Sequence, residues 1–247
     1  MITFNQDIEF IEQDRECSYF QSSEISDIKY RLINSCSKDE YLDMLQKGWR
    51  RFGKMHFVPV CKSCTKCISM RIIVDDFKFS KSQQRVLNKN RDTKVFIQPP
   101  SVSYEHIDLY NKYHAYMHDK KGWHYSPIDV TEYIRSYVDG KNGGFAREIL
   151  YFVDDKLVGV ALVDVLPEGI SAIYCYYDHD YQDLSIGQFS ILFQINIAKE
   201  LKIPYVYLGY WIKDHFSMGY KEKYKPFEVL TNRAGDDDEP IWEQYKQ

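Results

Sequence analysis

Long apolar runs are missing from this chain. Nothing in its 247 residues approaches the roughly 18 consecutive apolar positions that a membrane-spanning helix requires. Its longest apolar patches, such as Gly159-Val-Ala-Leu-Val163, are strand-sized, so no membrane partner is expected. Glycine and proline are scarce, at 12 and 8 residues, while 44% of the chain is hydrophobic and 16% aromatic. That balance excludes collagen-like, low-complexity and disordered classes. The length suits one large domain or two small ones, at roughly 150 residues per domain. The first ten residues carry Asp7 and Glu9 and lack the cationic start and apolar stretch of a secretory leader. The expected location is the cytoplasm. There are six cysteines, three of them between positions 61 and 67, too tightly grouped for a secreted disulfide framework, and thiols or thiolates are expected instead.

Charge is present in both signs but unevenly distributed. The formal net charge is -4, yet Lys47 to Lys94 holds thirteen basic residues against three acidic ones, a net of +10. The flanks compensate, with seven acids before Ile28 and a run from Asp236 to Glu239 near the end. Trp49, Phe52, Phe57, Phe77 and Phe79 interleave the basic segment. Cations suit phosphates and aromatic faces suit unpaired bases, so the pattern points to a polyanion. A solvated lysine-rich surface is the plainer alternative.

The order of elements can be read from periodicity and turn signals. Ser37-Lys-Asp-Glu40 is a capping box opening a helix over residues 37–52. Residues 68–79 alternate as a strand, 80–90 read as a short basic helix or turn, and Pro99-Pro100 marks a boundary. Helices are expected over 103–118 and 130–138. Strands follow over 147–153, 157–165 and 170–177, separated by Asp154-Asp155 and Pro167-Glu-Gly169. A long helix over 185–201 and a strand over 205–208 complete the pattern. The resulting β-β-β-α-β order resembles the catalytic half of the N-acetyltransferase-like (GNAT) fold. The expected class is therefore α+β, a mixed sheet flanked by helices with an N-terminal cysteine-containing subdomain. The domain expectation is a basic, cysteine-bearing region over 1–98, a GNAT-like transferase domain over 99–235 and a mobile acidic tail over 236–247.

Cys61-Lys-Ser-Cys64-Thr-Lys-Cys67 is a C-x2-C-x2-C run whose two-residue gaps let three thiolates converge on one centre. A ferredoxin-type run would continue with cysteine at position 71, where this chain has Arg71. A fourth ligand must come from elsewhere, with Cys17 preferred over Cys36, His56 or solvent. The expectation is a zinc ion or an iron-sulfur cluster on Cys17, Cys61, Cys64 and Cys67, against reduced structural thiols. His114 and His118 lie one helical turn apart, without the carboxylate of a metalloprotease motif.

Six blocks taken together carry a resemblance: Gly48-Trp-Arg-Arg-Phe52, Pro59-Val-Cys-Lys-Ser-Cys-Thr-Lys-Cys67, Phe79-Ser-Lys-Ser-Gln-Gln-Arg-Val-Leu-Asn88, Tyr174-Cys-Tyr-Tyr-Asp178, Ser185-Ile-Gly187 and Tyr207-Leu-Gly-Tyr-Trp-Ile212. From about Cys17 to Leu230 the chain resembles the bacterial aminoacyl-tRNA-protein transferases of the N-degron pathway. It departs from their pattern at Gln84, where a second arginine is usual, and at Met117, where an Arg-His pair is usual. The resemblance implies transfer of leucine from leucyl-tRNA to proteins beginning with Asp or Glu, without a cofactor and without a DNA partner. Transfer of arginine to the same acceptors, or tRNA binding by a non-catalytic metal-bearing module, are the alternatives. A coenzyme A-dependent acetyltransferase is disfavoured, because Leu184-Ser-Ile-Gly187-Gln188 offers one glycine where a pyrophosphate loop needs more.

An aminoacyl ester is already activated, so the enzyme needs chiefly to place an amine, accept a proton and stabilise an oxyanion. Tyr210, Tyr177 and Asp178 are the expected reacting-centre residues, with Asp178 as proton acceptor. Tyr210 and Trp211 are expected to border the terminal adenosine or the ester, and Tyr176 to line the neighbouring strand end. Arg85, Arg71 and Lys221 are the candidates for pairing with the acceptor carboxylate, because selecting a charged side chain calls for a cation. Trp49, Ser82 and Tyr220 complete the expected substrate-binding set.

Overall fold

A computed structural model describes residues 7–20, 24–140 and 143–246. Two sheets dominate it. The smaller one contains β1 (Ile8–Glu16), β2 (Ile25–Leu32), β3 (Arg50–Phe52) and β4 (Met55–Pro59) in the order β1-β2-β4-β3, all antiparallel. Between β2 and β3 runs α1 (Lys38–Gln46), whose Ser37 and Glu40 form the capping box read from the sequence. The helix ends at Gln46, earlier than expected, because Gly48 takes a positive φ of 91° and turns the chain into β3.

The larger sheet is built from β5 (Ile68–Ile73), β6 (Lys94–Gln98), β7 (Ala146–Val153), β8 (Lys156–Leu166), β9 (Gly169–Tyr177), β10 (Tyr205–Trp211), β11 (Phe227–Leu230) and β12 (Trp242–Gln244). Their order is β12-β11-β5-β10-β9-β8-β7-β6. Every pairing is antiparallel except β9 with β10. The crossover between those two parallel strands is α5 (Ile186–Glu200). This is the expected mixed α+β sheet. Its elements do not divide at residue 98, because β5 and β6 both lie before that point and both belong to the larger sheet.

Helix α5 and α2 (Lys81–Lys89) cover one face, where Ile186, Phe189, Leu192 and Ile195 pack on Ile149, Val158, Ala161 and Val206. The opposite face is covered by α3 (Tyr104–Lys121) and α4 (Val130–Tyr133), continued by a π-helical turn at Ile134–Val138. There Leu109, Tyr113 and Tyr133 meet Leu150, Val160 and Tyr176. Successive β9 side chains therefore serve different cores, as the pleat requires. A third cluster, with Tyr41, Leu45, Trp49, Phe145 and Tyr207, joins α1 to the larger sheet. Across this junction Arg51 Nε donates to Asp164 at 2.9 Å, its Nη2 donates to the other carboxylate oxygen, and its Nη1 donates to Gly53 O at 2.7 Å.

The acidic end is anchored over its described residues, which corrects the expectation of a mobile tail. β12 pairs with β11, Tyr245 stacks on Phe227 at 5.1 Å, and Asp236 pairs with Arg31.

Candidate active site

The backbone opens between β9 and β10. These strands pair only from Tyr205 opposite Gly169 to Tyr207 opposite Ser171. Beyond that point β9 continues on β8 to Tyr177, while β10 continues on β5 to Trp211. Irregularities in register, at Leu162/Val163 and at Tyr207/Gly209, accompany the divergence. Such a wedge leaves backbone groups without a ladder partner, and they must be satisfied by something else.

Arg50 enters that wedge. In β3 adjacent side chains point to opposite faces, so Arg51 reaches Asp164 while Arg50 reaches the splayed strands. Its Nη2 donates to Ala172 O on β9. Its guanidinium lies flat against Gly209 of β10, where a Cβ would stand 3.4 Å from Nε and 3.5 Å from Cζ. Gly209 has a positive φ of 76°, a backbone conformation that favours glycine. Arg50 is only 7% exposed, and no carboxylate is paired with it among the described residues. A second cation stands nearby. Lys221, in a 3-10 turn at Gly219–Lys223, is also 7% exposed and donates from Nζ to Tyr210 O at 2.5 Å. Burial, reinforced by Arg50 and opposed by Cys67, lowers its ammonium pKa to about 7.

Tyr210 links these cations to an apolar cavity. Its hydroxyl donates to Gly48 O at 3.0 Å and shares Phe57 O at 3.4 Å, and burial pushes the phenol pKa well up. The cavity it borders has a volume of about 150 Å³ and is walled by Ile28, Tyr30, Phe57 and Pro59. Cys17, Cys61, Cys64 and Cys67 line the same cavity.

The four cysteines thus share one cavity, as free thiols. Among the described residues no three of His, Cys, Asp and Glu are arranged to hold a metal ion. Cys61 Sγ is directed at Asp27 O, 3.7 Å away, and the carbonyls of Cys61 and Cys64 are fastened by Arg233. Burial, followed by the neighbouring sulfurs of Cys17, Cys64 and Cys61, raises the Cys67 thiol to about 12. This donor set does not fit the expected zinc or iron-sulfur site, and no chemical step is derived through one.

Other expected residues are distributed differently. Asp178 is almost fully buried, caps the 3-10 turn at His179–Leu184, and pairs with Lys112 at 2.6 Å and Lys156 at 2.9 Å. Burial raises its carboxyl, but hydrogen bonds from Lys112, Lys156 and Asp180 N outweigh this and hold it at about 2. So acidic a group is a poor proton acceptor near neutrality. Tyr177, half-buried, packs on Tyr113 at 5.2 Å and under Gly187, where a Cβ would lie 2.9 Å from its ring.

Packing occupies several more. Tyr176 is buried with its hydroxyl 2.6 Å from that of Tyr133. Trp211 is 1% exposed between Phe227 and Tyr245, so it cannot border a substrate without the core opening. Trp49 is buried beneath the Arg31 guanidinium, 4.5 Å from its ring centroid. Arg71 donates to Glu228 at 2.7 Å and to Tyr207 Oη at 3.1 Å. With its charge already matched, Arg71 is removed from the candidates for the acceptor carboxylate. Ser82 and Arg85 are exposed on α2, and Tyr220 is 44% exposed beside Lys221.

Two family models match the chain. The one described as "Arginine-tRNA-protein transferase, N terminus" covers residues 15–85, and the one described as "Arginine-tRNA-protein transferase, C terminus" covers 105–231. Aspartate/glutamate leucyltransferase of Helicobacter hepaticus is 46% identical over 238 residues, 96% of this chain and 98% of that protein. The protein of the same name from Campylobacter jejuni is 41% identical over 239 residues, 96% of this chain and 99% of that one. Among solved structures, FemX superposes with a TM-score of 0.50 at 9% identity over 82% of each chain, a likeness of fold. The N-acetyltransferase PaiA of Thermoplasma acidophilum gives 0.39 at 16% identity over 62% of this chain and 99% of that one. On the matches to both family models and to full-length relatives, the chain belongs to the aminoacyl-tRNA-protein transferase family.

Proposed function

We propose that this protein transfers leucine from leucyl-tRNA to the N-terminal Asp or Glu of acceptor proteins. The observation that carries this reading is 46% identity, over 96% of the chain, to a protein named for leucyl transfer to those two residues. The geometry agrees with it. The wedge between β9 and β10 presents Arg50 and Lys221 next to the apolar cavity behind Tyr210. Leucine needs an apolar enclosure, whereas an arginyl donor needs an acid directed at its guanidinium. The acid at the cavity, Glu24, is paired with Lys66 at 3.2 Å.

In the reaction the neutral α-amine of the acceptor attacks the ester carbonyl carbon. A C–N bond forms, the electron pair of the breaking C–O bond goes to the ribose oxygen, and the proton released by nitrogen ends on that oxygen through solvent. Positioning and charge stabilisation carry most of the acceleration. Positive charge nearby disfavours protonation of the attacking amine. No cofactor takes part.

The test is to incubate the protein with radiolabelled leucyl- or arginyl-tRNA and with peptides starting in Asp, Glu or Ala. Label from leucyl-tRNA is expected in the Asp and Glu peptides only, undiminished by a chelator. Label from arginyl-tRNA alone would reassign the donor. Absence of transfer from either would remove the enzymatic reading.

A further inference from the structure

We infer that Arg50, seconded by Lys221, is the specificity-determining cation that receives the side-chain carboxylate of the acceptor's first residue in the wedge between β9 and β10. This assignment rests on the acceptor class proposed above, and Arg50 was not among the residues expected from the sequence.

The contrast with the other buried arginines of this protein carries the argument. Arg51 is matched by Asp164 and Arg71 by Glu228. Arg50 is buried to the same degree and, among the described residues, has only the neutral Ala172 carbonyl. A guanidinium offers five N–H donors, so four remain for a partner that is not part of the resting chain. Burying an unmatched charge is costly, and a fold keeps one where a ligand will supply the opposite charge. Lys221 repeats the situation, bonded to the Tyr210 carbonyl and, among the described residues, to no acid.

Three anions are in play, and the geometry separates them. A tRNA phosphodiester belongs to a bulky backbone and cannot reach a side chain that is 7% exposed inside a strand wedge. A transient oxyanion needs one or two directed donors, whereas a buried guanidinium that stays charged at any working pH calls for a partner that is ionised before the reaction begins. A carboxylate on a short, flexible side chain meets both conditions and can engage the guanidinium edge in a bidentate fashion.

The experiment compares wild type, Arg50→Lys, Arg50→Gln and Lys221→Met with peptides beginning Asp, Glu, Asn and Gln, at saturating leucyl-tRNA. Wild type is expected to prefer Asp over Asn and Glu over Gln by at least 100-fold in kcat/KM. Arg50→Gln is expected to reduce that preference below 5-fold, mostly through KM, and Arg50→Lys to restore part of it. Lys221→Met should cause a smaller loss, about 10-fold. An Arg50→Gln enzyme that kept the full preference would overturn the assignment. A second measurement works on the unaltered protein: an Asp-starting peptide with a photoreactive second residue should label residues 169–177 or 205–211, and an Asn-starting control should not. Labelling elsewhere would overturn the assignment even if the variants failed to fold. If wild type transferred leucine equally well to every peptide, the acceptor class itself would be wrong, an outcome distinct from retained preference in Arg50→Gln.

Discussion

Two adjacent arginines in one three-residue strand have opposite dependencies, and pairing decides which. Arg51 and Asp164 are buried together, at 4% and 0% side-chain exposure, and they connect the smaller sheet to the larger one. Removing one member of such a pair strands the other in a low-dielectric interior, at a cost of about 3–5 kcal/mol. Asp164→Asn should therefore lower the free energy of unfolding by that order, measured by chemical denaturation, whereas Arg50→Gln should lower it little or raise it. Equal destabilisation by both would contradict the distinction between a structural and a ligand-directed cation. The sequence could not draw it. In the basic segment Arg50, Arg51 and Arg71 all counted towards a polyanion surface, although all three are buried. Charge counts register residue type, and only the fold reveals which guanidinium already has an acid.

His56 supplies a pH dependence at the same scale. It is 2% exposed and packs edge-on to Tyr41 at 5.3 Å. Burial first, then the charge of Arg51, lowers its pKa to about 4. The unfolded chain takes up a proton near pH 6.5 that the folded chain refuses, so stability is complete above that pH and declines as pH falls towards 4. The linked loss has an upper bound of about 3 kcal/mol. Asp178, held at about 2, adds its own loss only below the ordinary carboxylate range, near pH 3.8 and under. Denaturant unfolding between pH 7 and 4 should therefore show a decline that His56→Gln flattens. A parallel decline in the variant would assign it to other groups.

At the scale of elements, legibility followed amphipathic regularity. β7, β8, β9, α5 and β10 were readable because apolar alternation and turn residues agree there, and the capping box at Ser37 marked the start of α1, whereas the equivalent box at Ser80 that opens α2 was not read. β1 gave no signal, since all nine of its residues are exposed. β3 is three residues long with two arginines buried. The pleat also reassigns the aromatic residues. Tyr176 and Trp211 face cores, while Tyr210 looks towards the smaller sheet and the cysteines. A strict two-residue alternation applied to β9 would have separated Tyr176 from Tyr177. In β10 the bulge at Gly209 makes such counting fail. β12 shows what the acidic end contributes, because Tyr245 packs on both Phe227 and Trp211. Deleting residues 236–247 exposes that aromatic surface and should lower the melting temperature by several degrees. An unchanged melting temperature would mean that β12 adds nothing to the sheet.

For the whole molecule, the question is how a chain of net charge -4 holds a polyanion. Subtracting the buried arginines from the basic segment leaves cations that solvent reaches, among them Lys78, Lys81, Arg85, Lys89 and Arg91 on and around α2. Their acidic counterparts lie elsewhere in sequence and pair locally, as Glu9 does with Lys29 and Arg31. Long-range attraction is screened over about 8–10 Å at physiological salt, so a local patch can bind RNA despite the overall sign. Each phosphate neutralised adds close to one unit to the slope of log affinity against log salt. Replacing Lys81, Arg85 and Lys89 by alanine should therefore weaken leucyl-tRNA binding and reduce that slope by about 2–3, read from filter binding across a salt series. Arg50→Gln should leave the slope as it was, because its guanidinium is enclosed in the strand wedge and meets no phosphate. A slope unaffected by the triple replacement would move the tRNA footprint off α2, while the acceptor site between β9 and β10 would stand.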